Sequence, residues 1–270
     1  LKSWNYSISS ICMENNNNNT PPSTELVKQF NVNLQTKLND TRSKLQQAVT
    51  IDNFSSATKA HIRHTSISPL TLEKVWIEKK LCEAFELSDP QDNEFFENAI
   101  KPDSSIIVTF ALGLNRTIDK SIIDAALGTT KVGEDGKGSS ELPDSQRIII
   151  DQTPTFFKEF FTQLENAEKL LDYKNVPQED RYLIVPRKIA ASVSDMKTIH
   201  PIVSNLLPIS NGKRSCILFH KSAIRGAVDS VTTFMDIRCD LAGARMIHST
   251  IKRGFARIDD YSVVEIQIPE

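Results

Sequence analysis

At 270 residues the chain is long enough to bury a real core, as one large domain or two modest ones. Its 32 basic and 34 acidic residues nearly cancel, so the field of the whole molecule neither recruits nor repels nucleic acid, and any DNA contact must be local. Cys12, Cys82, Cys216 and Cys239 are scattered without a CxxC pair, which argues against a zinc knuckle or redox motif, and no apolar run approaches the roughly 20 residues that span a bilayer.

In chain order, LKSWNYSISSIC has polar breaks where a signal peptide needs a continuous apolar core. The first methionine, Met13, opens MENNNNNTPPSTE, a polar tract with nothing to bury. Residues 1–23 are therefore expected to form a disordered tail, with the native start at Met13. From Thr24 to Val49, Leu26, Phe30, Leu34, Leu38, Leu45 and Val49 recur mostly every three or four positions, predicting one amphipathic helix or a pair. Residues 51–75 lose that period and become a polar, Ser/Thr-rich excursion holding His61, Arg63 and His64. Without a further ligand type nearby, the two histidines read as solvated loop residues rather than metal ligands.

Residues 104–127 give the clearest helix. Ile107, Ala111, Leu114, Ile118, Ile122 and Ala125 step by three or four, while Arg116, Asp119, Lys120 and Asp124 gather on the other side. Asp119 and Asp124 diverge around a helix, so charge pairing with Arg116 and Lys120 is preferred to a catalytic pair of carboxylates. Pro102-Asp103-Ser104 supplies the start, and Gly128 the stop as a left-handed cap. The next stretch, GTTKVGEDGKGSSELP, has the composition of a phosphate loop in the wrong order: its glycines follow a helix, and Gly136-Lys137 is followed by Gly138 rather than a hydroxyl residue. An exposed loop over 129–146 is expected instead.

QRIII then predicts a short strand, and TPTFFKEFFTQLENAEKLLD a helix capped by Thr153 with Pro154 at its first position. Phe157, Phe160, Phe161, Leu164, Ala167 and Leu171 form its apolar stripe. RYLIVP reads as a strand buried on both faces, RKIAASVSD as a short helix, MKTIHPIVSNLLPISNGKR as a linker, and SCILFH as an apolar run in which Cys216 is a small buried residue. VTTFMDIR and YSVVEIQIP alternate as strands, the second with Val264, Ile266 and Ile268 on one face. Between them GARMIHSTIKRGFAR carries Arg245, Lys252, Arg253 and Arg257 without an acid. This stretch is either a contact for phosphate or an acidic partner, or a solvated face. His220, flanked by Lys221 and Ser222, is the sole histidine worth weighing for catalysis, and no nucleophile motif surrounds it. No catalytic set, cofactor site or metal site is expected.

Four fragments carry a resemblance when taken in order: IIDAALGT with GEDG, AEKLLDYKNVPQEDRYLIVPRK, CILFHKSAI, and GFARIDDYSVVEI. Together they resemble the major capsid proteins of a group of tailed phages and related prophages, over most of residues 30–269. The resemblance implies an α+β Hong Kong 97-type fold, with a 24–50 arm helix, an extended loop at 51–75, a peripheral domain at 76–180 whose spine helix is 104–127, a mainly axial domain at 181–253, and a C-terminal strand at 254–270 returning to the sheet. It implies an icosahedral shell of pentamers and hexamers enclosing double-stranded DNA, and a chain that is not an enzyme. The implied partners are other copies, scaffold and portal proteins, and DNA held weakly and non-specifically, with no membrane contact; the implied location is the virion, preceded by the host cytoplasm. Arg63, Arg116, Asp119, Lys120, Asp124, Glu134, Asp135 and Lys137 are the expected subunit contacts. Two departures suggest a shortened or degenerate chain: the 51–75 excursion is short, and between Asp195 and Val203 the chain passes almost directly from SVSDM to VSNLLP. The rival readings are a nanocompartment shell, a cytoplasmic α/β enzyme using the glycine-rich loop, and a DNA-binding protein using Arg245 to Arg257.

Overall fold

A computed structural model of the chain describes residues 22–52, 59–65, 72–78, 80–87, 94–151, 155–193, 196, 198–241 and 243–270. The expected tail with Met13, and Thr153-Pro154, lie outside the described residues. The helices are α1 (Thr24–Thr41), α2 (Phe95–Ala99), α3 (Ser105–Leu127), α4 (Phe156–Tyr173) and α5 (Arg187–Val193). The first strands are β1 (Thr50–Ile51), β2 (Lys59–Thr65), β3 (Leu72–Glu78), β4 (Lys80–Leu87), β5 (Thr130–Val132), β6 (Gly138–Ser140) and β7 (Arg147–Ile149). They are followed by β8 (Arg181–Val185), β9 (His200–Val203), β10 (Ile209–Ser210), β11 (Lys213–His220), β12 (Ile224–Val228), β13 (Thr232–Arg238), β14 (Ala244–Arg257) and β15 (Val263–Pro269).

The first helix stops earlier than its apolar spacing suggests. Ser23 Oγ accepts from the Leu26 N–H at its start, and Phe30, Leu34 and Leu38 form its buried stripe. It ends at three successive poor helix formers, Asn39, Asp40 and Thr41; Leu45 and Val49 are buried beyond it, around a single 3-10 turn at Gln46–Ala48. α3 matches its expectation and is about 35 Å long. Ser104 Oγ accepts from the Ile107 N–H (3.2 Å) and donates to the Ala99 carbonyl (2.8 Å), which caps the helix. At the far end the Gly128 N–H donates to the Asp124 carbonyl, but Gly128 is not left-handed. Glycine is required there because a Cβ would collide with the Asp124 carbonyl oxygen.

Three segments expected to lack regular structure contain strands. The 51–75 excursion supplies β2 and the start of β3, paired antiparallel from Lys59↔Glu78 to Thr65↔Leu72, so His61 and His64 lie on a strand. The 129–146 loop contains the β5–β6 hairpin and buries Thr130, Val132, Leu142 and Gln146. The linker after α5 contains β9, which pairs parallel with β8 from Tyr182↔His200 to Val185↔Val203, and β10, turned onto β11 through the positive-φ pair Asn211-Gly212. The passage near 195–203 is short yet carries a strand.

Three sheets result: β1-β12-β14-β13 with β4 also on β14, β7-β15-β11-β8-β9 with β10 on β11, and β2-β3-β5-β6. The chain packs as two compact units, each built from separate stretches. One comprises residues up to Thr41, Cys82–Leu114 and Ser230–Ile251. In it α1 lies on β13, Phe30 meets Phe110 edge-on at 6.0 Å, and Asn33 Nδ2 donates to the Ile100 carbonyl at 2.6 Å. The other comprises Arg42–Leu81, Asn115–Asp229 and Lys252–Glu270. Its core sets Phe160, Leu164, Ala167 and Leu171 of α4, with Ile189 and Val193 of α5, against Leu183, Cys216, Leu218, Val264 and Ile266 of the six-stranded sheet. Phe157, expected in that stripe, is 48% exposed: it shares the stripe's side of the helix but lies in the first turn, at the end of α4. β15 is buried on both faces over Val263–Ile266, rather than on one.

The second unit is tied together by one guanidinium. Arg257 is 0% exposed; its Nε donates to Asp260 Oδ1 at 2.6 Å, and its Nη1 to the carbonyls of Ala126 (2.7 Å) and Gly128 (2.8 Å). Its Nη2 donates to the Ser140 carbonyl at 3.3 Å, and Ser140 Oγ donates to Asp260 Oδ2 at 2.5 Å. The end of α3, the β5–β6 hairpin, β14 and the turn into β15 thus share one polar node. Arg257→Met leaves Asp260 as an uncompensated buried charge, and is expected to cost about 3–5 kcal/mol in urea unfolding. The Arg257→Met/Asp260→Leu double variant should recover part of that loss. A cost below about 1 kcal/mol for the single variant would contradict this role.

Candidate assembly surface

The residues singled out from sequence do not converge on a reaction centre. On α3, Arg116, Lys120 and Asp124 are exposed, but Asp119 is only 7% exposed. Asp119 Oδ1 accepts from Ser43 Oγ at 2.5 Å and from the Leu45 N–H at 2.9 Å, so it anchors the turn after α1 instead of pairing with Arg116 or Lys120. A carboxylate buried this way is not available to a neighbouring subunit. Glu134, Asp135 and Lys137 stand exposed on the β5–β6 turn, where Gly133 and Gly136 take φ of 92° and 62° and Lys137 lies 3.6 Å from Asp135. A strand follows this turn, not a helix, so no helix N-terminus is there to receive a phosphate. Arg63 is placed on β2 by its backbone; its side chain is outside the description.

The basic stretch is one strand, β14, and alternation splits it. Arg245 shares the inward side with Ile247, Ser249 and Ile251, and Arg257 is spent inside, so both are buried where a surface contact was expected. Lys252 is exposed, and Arg253 Nε donates to the Thr117 carbonyl at 3.1 Å.

His220 has a structural role. Its Nδ1 accepts from the Ser222 N–H (3.2 Å) and lies 2.7 Å from Ser222 Oγ, capping the turn Lys221–Ala223. Burial holds its pKa below the ordinary histidine value, against the opposing pull of Asp180. Burial also pushes the Cys216 thiol up to about 12, which leaves it an unreactive core residue. Among the described residues no three His, Cys, Asp or Glu side chains group as metal ligands. Two surface clefts of about 180 Å³ and 320 Å³ are present: one bounded by Arg187, Lys188, Arg214 and Glu270, the other by Glu165, Glu168, Lys169 and Asp172. Both lie at or below the lower limit for ligand pockets and are rimmed by charged side chains.

What the sequence did not single out is apolar surface. Phe85 on β4 is 68% exposed and Phe234 on β13 is 59% exposed, each alternating with buried or half-buried neighbours. The period-two pattern in KLCEAFEL and TTFMDIR is the signal that places them outward.

The likeness to known proteins accounts for a molecule with a long helix and helix-backed sheets. A family model described as phage capsid protein matches residues 23–200, about two thirds of the chain. The chain belongs to the phage capsid protein family. Its members are structural proteins of capsid shells, which self-assemble from many copies. Solved structures show the fold. The capsid of cyanophage P-SCSP1u is 17% identical with a TM-score of 0.55, covering 81% of this chain and 86% of that one. The virus-like particle of Pyrococcus furiosus is 13% identical with a TM-score of 0.66, covering 90% and 100%. The SrpI encapsulin of Synechococcus elongatus PCC 7942 is 8% identical with a TM-score of 0.57, covering 97% and 94%. No curated protein matches the sequence. The capsid protein therefore has the Hong Kong 97-type fold that its sequence motifs resemble.

His220 gives the fold a pH dependence. Its folded pKa lies below the ordinary histidine value, so protonation favours the unfolded chain. The stability contributed by the neutral ring is fully present above that value and is lost as pH falls from it toward the folded pKa. His220→Asn is expected to flatten the fall in unfolding midpoint between about pH 7.5 and pH 5.5. Identical slopes for both proteins would contradict the assignment.

Proposed function

We propose that the chain is the major coat protein of a tailed phage or prophage, assembling through pentamers and hexamers into an icosahedral shell around double-stranded DNA. The observation that carries this reading is the family match over residues 23–200, together with a fold shared with solved capsids across most of both chains. A shell protein needs no reaction centre; it needs a rigid subunit whose modest contacts repeat until they close, so that weak interfaces sum to a stable particle. On this reading the chain is not an enzyme, and it occupies the host cytoplasm before assembly and the virion after it. Scaffold and portal proteins are its further partners.

In the domain map we propose, 24–50 is the arm, the hairpin within 51–75 the extended loop, 76–180 the peripheral domain with α3 as spine, 181–253 mainly axial, and 254–270 the returning strand. Exposed Arg116, Lys120, Asp124, Glu134, Asp135 and Lys137 then serve as contacts between subunits, with Arg63 of the hairpin. Lys252 and Arg253 supply weak, non-specific phosphate contact, in keeping with a wall of near-neutral charge that contains DNA without gripping it. A second reading, a nanocompartment shell enclosing protein cargo, is supported by the encapsulin likeness over 97% of the chain.

Full-length protein expressed alone, purified by gel filtration and viewed by negative-stain microscopy, is expected to yield closed particles of uniform diameter. A persistent 30.3 kDa monomer would overturn the shell reading. Particles isolated from the native host with nuclease-protected DNA support the phage reading; an enclosed enzyme and no DNA would favour the nanocompartment.

A further inference from the structure

The outer side of the sheet formed by β4, β14 and β13 is an apolar surface with an ordered centre. Cross-strand pairing sets Thr232 opposite Thr250, Phe234 opposite His248, and Asp236 opposite Met246, all on one side. The Phe234 and His248 rings meet at 6.4 Å, and His248 Nε2 lies 3.7 Å from Glu83 Oε2 on β4. Glu83, Phe85 and Leu87 are successive outward residues of β4. The opposite side is filled: Cys82, Thr233, Met235, Ile247 and Ser249 are buried, and α1 packs on β13. Only the outward side leaves two phenylalanines more than half in water.

We infer that this face, centred on Phe85 and Phe234, is covered by a second copy of the chain in the assembled shell. The inference rests on the shell reading and specifies one of its contacts. Size favours a copy within a multi-contact assembly. Phe85, Phe234 and Leu87 together offer roughly 300 Å² of exposed apolar surface, given the area of such side chains. That is well short of the ~800 Å² per partner in a stand-alone complex. A patch of this size contributes only as one of several contacts closing together, which is how copies of a shell protein meet. Composition agrees, since phenylalanine is enriched at the buried centres of interfaces.

Charge agrees as well. Around the aromatics the face presents Glu83, Asp236 and the Arg238–Asp240 ion pair, with His248 beside Glu83 and Arg238 Nη1 3.9 Å from Met246 Sδ. Elsewhere the chain exposes Arg116 and Lys120 on α3, and Arg187 and Lys188 on α5, with no ion pair formed by these four among the described residues. A second copy thus brings cations toward Glu83 and Asp236, and complementarity of this kind orients the approach more than it adds affinity.

The test compares wild type with Phe85→Ser/Phe234→Ser and with Glu83→Lys/Asp236→Lys in the full chain, following particle yield by gel filtration and microscopy, and folding by circular dichroism and unfolding midpoint. The serine variant is expected to keep the wild-type midpoint within a few degrees and lose at least tenfold in particle yield. The lysine variant is expected to assemble poorly at low salt. Folded serine variant giving particles at wild-type yield would overturn the inference while leaving the shell reading intact. Failure of wild type itself to assemble would overturn the shell reading, and this inference with it. Should the serine variant unfold, Phe234→Tyr/Phe85→Tyr provides the second measurement: it retains the aromatic body, and unimpaired assembly is expected of it. Loss of assembly by the folded tyrosine variant would count against packing by a copy at this face.

Discussion

A buried guanidinium without enough acceptors is far costlier than one that is fully bonded, and this constraint organises the larger unit. Arg257 is satisfied only when the end of α3, the β5–β6 hairpin and the turn holding Asp260 are all in place at once. Asp119 imposes the same condition on the start of that unit, where its carboxylate requires Ser43 and the Leu45 N–H. Each is an all-or-none arrangement that fixes backbone segments far apart in sequence. The result is a larger unit whose elements are held in one arrangement, which repeated packing of copies requires.

Charge and aromatic side chains have opposite fates from the ones their chemistry suggests. Two arginines of the basic stretch and one aspartate of the polar helix face go inside, as internal fasteners. Two phenylalanines, Phe85 and Phe234, stay outside on the sheet side away from α1. In a shell protein a modest exposed patch of this kind becomes useful as one of several contacts that close together.

Much of the fold was legible in the sequence where the signal is local and repeated. The α3 stripe from Ile107 to Ile122 and the α4 stripe from Phe160 to Leu171 follow a helical period that tertiary context had no reason to override. The β2–β3 and β5–β6 pairings were hidden because serine, threonine and charge dominate the 51–75 and 129–146 stretches, even though Val75 and Ile77 of β3 are buried. Burial of Asp119 could not be read from its helix, since Ser43 lies 76 positions away. Arg257 and Asp260 are only three apart, yet the pair was hidden because a cation run invites comparison with other cations. Gly128 was correctly read as a stop but for the wrong reason, steric clearance taking the place of a left-handed turn. At the candidate surface, the charged residues of α3 were visible from spacing. The aromatic face of β4 and β13 required knowing which side of the sheet α1 covers.

The central claim is that this chain exists to pack against itself, and sedimentation velocity of the purified full-length protein measures that most directly. The account predicts a discrete fast boundary of megadalton mass, growing at the expense of a slow one as concentration rises, as expected of closed cooperative assembly. A single slow boundary at 30.3 kDa across all concentrations would contradict it.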